Sequence, residues 1–401
     1  MRKKLLPLLM VFLFFLPASP GQGSVSVRAP QYEDDVFLYY EFSSPVISQG
    51  NSRSGGITLT ADAAILMDAE TGQLLYAKNP DQPRPIASTT KIMTALLAIE
   101  CGDLKGMATV SPRAAAVGES SIHLEAGERL TLEELLYGAL LRSGNDACVA
   151  IAEYIAGREE IFVDWMNLKA RQLGLKNTSF KNTNGLPHRE HLSTARDLAL
   201  ISRHAMRNTV FNRFVSTRSH AISGPRGKRY LSNTNKMLWS YQGADGVKTG
   251  TTDAAGKCLV SSSSQGNRRL IAVVLHSKDR YADSIKLLDY GFANFTNQTV
   301  ARSGETLGWI SVSEGVKKKV SVACQKDIVV AVPGKKDGVV EKVVQIEREI
   351  VAPVKSGRTV GRLLVFIEGS PVAETKLITR DDTEKLPVPR LIYGRIRDRL
   401  Y

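Results

Sequence analysis

The chain has 401 residues, is 43% hydrophobic and 23% charged, and carries a formal net charge of +13. That length allows two or three domains with a sizeable core, and the composition excludes the disordered and fibrous classes. The basic excess calls for an anionic partner. With an export signal at the N-terminus, that partner is expected to be an acidic envelope polymer or lipid headgroups, with no nucleic acid.

Arg2, Lys3 and Lys4 precede an apolar run from Leu5 to Leu16, which is too short to cross a bilayer comfortably. With small residues at Ala18, Ser19, Gly21 and Gly23, residues 1–23 read as a secretory signal peptide, so the chain is expected to be exported and to work at the outer face of the membrane or in the cell wall space. Residues 24–56 read as a linker, rich in Ser, Gly and Asn at "SSPVISQGNSRSGG".

The main domain is expected over 57–295. "AAILMDAETGQLLYAKN" predicts two strands around a turn at Glu70-Thr71-Gly72. "IASTTKIMTALLAIE" predicts a helix with Ser88 at its start. "LTLEELLYGALLR" predicts another, ending at "SGND", where Gly144 breaks the helix and Asn145 or Asp146 caps the next one, "ACVAIAEYIAG". "IFVDWMNLKARQLGL" and "STARDLALISRHAM" are further helical stretches. After "GADGVKTGTTDAAG", the segments "KCLVSSSS" and "RRLIAVVLH" flank a hairpin turn at Gln265-Gly266-Asn267, and "YADSIKLLDYGFANF" closes the domain as a helix. Strands at both ends bracket a helical middle. The economical fold is of α/β (α+β) class, one antiparallel sheet flanked by helices with a helical subdomain. Residues 296–385 are β-branched runs separated by Gly, Pro and Lys turns, a small all-β domain. In 386–401, Ile392, Ile396 and Leu400 form an apolar stripe with Arg390, Arg395, Arg397 and Arg399 mostly on the remaining surface. That pattern predicts an amphipathic helix lying on an anionic membrane surface.

Cys101, Cys148, Cys258 and Cys324 show no CxxC spacing and are expected to be free, buried thiols. His188 and His191 in "HREH" lack the spacing of a zinc site and read as loop residues, so neither a metal nor another cofactor is expected.

Three short motifs fall in order: Ser88-Thr89-Thr90-Lys91, Ser143-Gly144-Asn145 and Lys248-Thr249-Gly250. Lys355-Ser356-Gly357 also fits the third pattern but reads as a turn of the β domain. Three residues apart on a helix, Ser88 and Lys91 share a face. A serine hydroxyl becomes a nucleophile when a neighbour takes its proton. A lysine becomes a base when burial or a second cation such as Lys248 lowers its pKa. Ser143 offers a proton relay, Asn145 an amide, and Lys248 and Thr249 a charge and a hydroxyl for a carboxylate.

In order and type these motifs resemble those of the penicillin-recognising serine acyltransferases, and most closely the D-alanyl-D-alanine carboxypeptidases, the low-molecular-mass penicillin-binding proteins. The resemblance runs from about Ala63 to Phe295 and includes "NTNGLPHREHLSTARDLA". It implies a β-lactamase/transpeptidase-like fold, peptidoglycan stem peptides as substrate and β-lactam antibiotics as ligands. It also implies roles for single residues. Ser88 would form the acyl-enzyme, Lys91 act as base and Ser143 assist proton transfer. Asn145 would bind the peptide, and Lys248, Thr249 and Arg280 the terminal carboxylate. The backbone N–H groups of Ser88 and Thr251 would form the oxyanion hole. The second motif is Ser-Gly-Asn where class A β-lactamases have Ser-Asp-Asn, and no glutamate segment resembles their deacylation motif. A β-lactamase or transpeptidase on the same site, and a non-catalytic envelope sensor, are the alternative readings.

Overall fold

A computed structural model of the chain describes residues 10–12, 57–224, 227–334 and 340–387. These fall into two compact units, residues 57–293 and residues 294–387 with Met10–Phe12. The expected linker lies outside the described residues, as does the expected signal peptide apart from Met10–Phe12. Of the expected C-terminal helix, Leu386 and Pro387 are described and are not helical; residues 388–401 lie outside.

The first unit is built on five antiparallel strands: β1 (Ala63–Asp68), β2 (Leu74–Lys78), β3 (Ala244–Thr252), β4 (Gly256–Gln265) and β5 (Arg268–Ser277), in the order β2-β1-β5-β4-β3. Asp68 closes the first turn by accepting the N–H groups of Glu70 and Thr71 at 3.1 and 2.9 Å, a local bond that competes with strand pairing and so ends the strand. The expected hairpin joins β4 to β5, with Gln265 opposite Arg268 and Gly266 at φ +57°. Successive strand residues face opposite sides. Leu66 and Leu270 meet Gly291 of α7 (Arg280–Asn294), where a Cβ would overlap both side chains. Ile65, Met67, Ile271 and Val273 join the main core instead. All are fully buried, each side chain contributing about 1.5–3 kcal/mol.

The helices of that core are α1 (Lys91–Cys101), α2 (Leu132–Leu141), α3 (Asn145–Ala156), α4 (Glu159–Gln172), α5 (Ala195–Met206) and α6 (Thr209–Ser216). α2 begins with a capping box between Thr131 and Glu134, worth about 1 kcal/mol. Two helix starts differ from expectation. At α3 the cap position is Gly144, not Asn145 or Asp146; the Asp146 carboxylate instead accepts from Ser121 Oγ, Ile122 N and Leu124 N. α1 starts at Lys91 rather than at Ser88, because Ala87–Thr90 is a 3₁₀ turn.

The second unit is all β, as expected. Its seven-stranded sheet runs Met10–Phe12, Val340–Ile346, Thr359–Ile367, Ser370–Thr379, Lys319–Cys324, Thr306–Ser313 and Glu349–Val351, and Phe295–Ala301 pairs with Ile328–Pro333. Val320, Val322, Val330, Leu363 and Val365 fill its core. Lys355-Ser356-Gly357 is a turn, with Gly357 at φ +86° and Lys355 paired to Glu384. All four cysteines are free; Cys148, Cys258 and Cys324 are buried, but Cys101 is exposed because it ends α1. No helix among the described residues is long and apolar enough to cross a membrane.

Candidate active site

Ser88 is half-buried on a turn the local sequence would not choose. Ala87 before it has φ +47°, a left-handed conformation that costs a residue with a Cβ about 1–3 kcal/mol. Neighbours hold it there. Thr89 Oγ1 donates to the Ile86 carbonyl at 2.7 Å, and Thr90 Oγ1 to the Ala87 carbonyl at 2.8 Å. Gly185 and Gly250 press on the turn from outside; a Cβ on Gly250 would stand 3.1 Å from Ser88 N.

Lys91 lies one turn deeper and is 0% exposed. Its Nζ has three neighbours: Ser88 Oγ at 2.9 Å, Asn145 Oδ1 at 2.8 Å and the Asn184 carbonyl at 2.7 Å. Burial lowers its pKa to about 8, against weaker opposing pulls from Cys148, Asp146 and Glu119. The Asn184 carbonyl is presented by a loop folded on its own asparagines. Asn182 Oδ1 accepts from Gly185 N at 2.7 Å, and Asn184 Oδ1 from Leu186 N at 3.0 Å.

Ser143 stands in the turn between α2 and α3, buried and at φ +64°. The turn places Asn145 at the head of α3, its Nδ2 donating to the Gly118 carbonyl at 2.9 Å and its Oδ1 accepting from Lys91. Among the described residues no hydrogen bond joins the Ser143 hydroxyl to the other members of the set.

Lys248, Thr249 and Gly250 lie on β3, the edge of the sheet. Lys248 is buried, and burial, with Lys91 and Arg280 as further cations, drives its pKa well below the lysine range. Its Nζ donates to the Thr249 carbonyl at 3.0 Å. Thr249 Oγ1 lies 2.8 Å from Thr234 Oγ1. Arg280 braces the end of β3, its Nη1 donating to the Gly250 carbonyl at 2.7 Å, Thr251 Oγ1 at 2.8 Å and the Cys258 carbonyl at 3.2 Å. Beside the Ser88 turn opens a cavity of about 290 Å³, lined in part by Ile86, Ala87, Leu186, Arg189 and Thr252. Among the described residues no group of three His, Cys, Asp or Glu side chains is placed to hold a metal ion.

The sequence reading missed the part played by 184–191. Asn184 acts through its carbonyl, which residue type does not reveal, and Gly185 signals only a turn. His191 is not merely a loop residue. It is buried, with Nε2 2.8 Å from Thr90 Oγ1 and Nδ1 accepting from Lys181 N at 3.1 Å.

A half-exposed hydroxyl, a buried amine on it and a free strand edge beside it are the parts of a serine acyl-transfer site. Residues 49–279 match a family model described as D-alanyl-D-alanine carboxypeptidase, and residues 295–385 one described as penicillin-binding protein 5, C-terminal domain. The chain is 36% identical over 352 residues to the D-alanyl-D-alanine carboxypeptidase DacF of Bacillus subtilis, covering 85% of this chain and 90% of that one. It is 34% identical to DacC of Escherichia coli, covering 82% and 85%. Among solved structures it is similar to penicillin binding protein 5 from Haemophilus influenzae, with a TM-score of 0.75 and 30% identity over 83% of this chain and 100% of that one. DacD from Francisella tularensis superposes with a TM-score of 0.65 and 29% identity, over 85% and 97%.

Proposed function

Because the chain belongs to the D-alanyl-D-alanine carboxypeptidase family, we propose that it removes the terminal D-alanine from peptidoglycan stem pentapeptides through an acyl-serine intermediate on Ser88. The observation that carries this is the surroundings of Lys91 Nζ. Two of its three neighbours, Asn145 Oδ1 and the Asn184 carbonyl, can only accept; the third, Ser88 Oγ, can also donate. A neutral amine has two protons and one lone pair. Given to the two obligate acceptors, the protons leave the lone pair for the hydroxyl of Ser88, and a pKa near 8 makes that neutral form accessible.

In the first step Ser88 Oγ attacks the carbonyl of the penultimate D-alanine and Lys91 takes the hydroxyl proton. The N–H groups of Ser88 and Thr251 receive the oxyanion. The C–N bond then breaks as the proton held by Lys91 is relayed through the Ser143 hydroxyl to the departing amine, and D-alanine leaves. Water cleaves the ester and restores Ser88. Lys248 and Thr249 bind the terminal carboxylate, with Asn145 on the peptide; Arg280 adds positive charge and fixes the end of β3. β3 is an edge strand with no strand partner on its outer side among the described residues, a side on which an extended peptide can lie. With the carboxylate at Lys248 and Thr249, the acyl part of the peptide continues past Thr251 to Thr252 and the cavity beside Arg189. A β-lactam opened by Ser88 keeps its leaving amine tethered, so its ester persists. The substrate lies in the cell wall, which accords with export through a signal peptide over 1–23.

Incubation with a peptide ending in D-Ala-D-Ala tests the proposal. Free D-alanine should appear with the wild type and be absent with Ser88→Ala. Equal release by both would refute the assignment of the nucleophile.

A further inference from the structure

A chain of three groups ends on the peptide that carries one of the two oxyanion donors. Lys181 N–H donates to His191 Nδ1 at 3.1 Å, so in the neutral ring the proton sits on Nε2. Nε2 lies 2.8 Å from Thr90 Oγ1, and can only donate to it. Thr90 Oγ1 in turn donates to the Ala87 carbonyl at 2.8 Å. That carbonyl and the N–H of Ser88 belong to one planar peptide group, so a bond that fixes the C=O direction fixes the N–H direction on the opposite side.

We propose that His191 is a positioning residue for the reaction: through Thr90 it locks and polarises the Ala87–Ser88 peptide so that the Ser88 N–H stays aimed at the developing oxyanion. The inference rests on the acyl-serine reading. Four features support it. All three side chains or groups are buried: His191 is 3% and Thr90 1% exposed, and Ala87 2%. Ala87 is held at φ +47°, a strained conformation that persists only where its surroundings fix it. A string of bonds in a dry interior strengthens each member, since a hydroxyl that accepts donates better. Burial, aided by His188 and Lys91, lowers the ring's pKa to about 4, so the neutral tautomer the string requires is the resident form.

Thr90→Val tests it, because the isosteric change removes the hydroxyl and keeps the shape. Thr90→Ser keeps the hydroxyl and serves as the rescue. Loss of one oxyanion donor costs about 10²–10³ in rate, and misaiming it should cost part of that. Thr90→Val should therefore slow both β-lactam acylation and ester hydrolysis about tenfold or more, because both steps pass through the oxyanion. The affinity for a peptide product that makes no oxyanion should stay within about twofold, while a boronic acid that places a charged oxygen in the hole should bind about tenfold more weakly. Thr90→Ser should return both rates to within about threefold of wild type, and His191→Phe, whose ring offers Thr90 no donor, should slow both steps by about threefold or more. The idea is overturned if Thr90→Val loses thermal stability while both rates and boronate affinity stay within twofold, which marks a purely structural bond. Should Thr90→Val not fold, His191→Phe carries the same comparison. No labelling or turnover at all in the wild type would refute the acyl-serine reading itself and this inference with it.

Discussion

Gly185 sits against the carbonyl of Ala87 so closely that a methyl group on it would overlap the carbonyl oxygen and approach Ser88 N. Its φ of +89° is also one that alanine adopts only under strain. Gly185→Ala must therefore push back either its own loop, which presents the Asn184 carbonyl to Lys91, or the Ser88 turn. We expect a loss of about 1–3 kcal/mol in stability and a drop in acylation rate of at least about tenfold. Denaturant melts with stopped-flow acylation check both; unchanged acylation would show that the turn does not depend on this contact.

Covalent labelling separates the nucleophile from its base. A β-lactam should add once to the wild type by intact mass, and not at all to Ser88→Ala. Lys91→Ala should leave a folded protein that acylates slower by about 10²–10⁴. An adduct on Ser88→Ala would mean that another group is attacked.

The pH dependence follows from the direction of the Lys91 shift. Its folded pKa of about 8 lies below the ordinary 10.5, so the neutral base fills as pH rises through 8. The acylation rate at limiting β-lactam should climb tenfold per unit well below pH 8 and level off above it, up to the pH at which other groups titrate. Stability should move the same way. Between pH 8 and 10.5 the unfolded chain holds more protons at this lysine than the folded one, so the lysine contributes a rise in unfolding free energy across that window. Lys91→Met should flatten that contribution. A rate flat between pH 6 and 9 would exclude Lys91 as the base.

A carboxypeptidase site must distinguish an acid from its amide. Amidating the C-terminus of the substrate should cost about a hundredfold in kcat/KM, the scale of an unpaired charge in a desolvated site. Lys248→Gln should narrow the gap, mainly by turning over the acid more slowly. Equal hydrolysis of acid and amide would mean that Lys248 and Thr249 do not read the terminal carboxylate.

Arg189 forms no ion pair among the described residues and lines the cavity beside the Ser88 turn, where the proposed binding mode puts the acyl part of the peptide. Stem peptides with a free carboxylate N-terminal to D-Ala-D-Ala should be preferred over neutral ones by about fivefold, the worth of an exposed ion pair. Arg189→Gln should remove that preference and leave the neutral substrate unchanged, and salt should weaken it. Two peptides compared by D-alanine release decide this.

Much of this architecture is legible in the sequence because its causes are local. β1 and β2 announce themselves by apolar runs around Asp68-Ala69-Glu70-Thr71-Gly72, and the Asp68 side chain makes the turn within three residues of itself. The β4–β5 hairpin follows from Gln265-Gly266-Asn267 in the same way. What stayed hidden depends on distant partners. The start of α1 is displaced because Ala87 is wedged between Gly185 and Gly250, both remote in the chain. His191 looked idle because its partner Thr90 is 101 residues away. Asn145 or Asp146 was expected to cap α3, but the Asn145 side chain serves Lys91, 54 residues earlier. Ser88, Lys91, Ser143 and Lys248 stand out in the sequence by the order and type of their motifs; the Asn184 carbonyl that meets Lys91 Nζ has no residue type to betray it.

The pairing of β1 with β5 also sets a schedule. Asp68 and Arg268, bridged at 2.9 Å, are 200 residues apart, and Asp283 then takes the N–H groups of Thr60 and Ala61 at 3.0 and 2.8 Å. On a ribosome, β1 therefore emerges long before the strand and carboxylate that finish it. Contacts of such separation pay their loop-closure entropy first and are rewarded last. The nascent chain has no closed sheet until residues near 283 are out, so a product terminated ahead of β5 would leave β1 an open apolar edge, a substrate for proteases rather than half an enzyme.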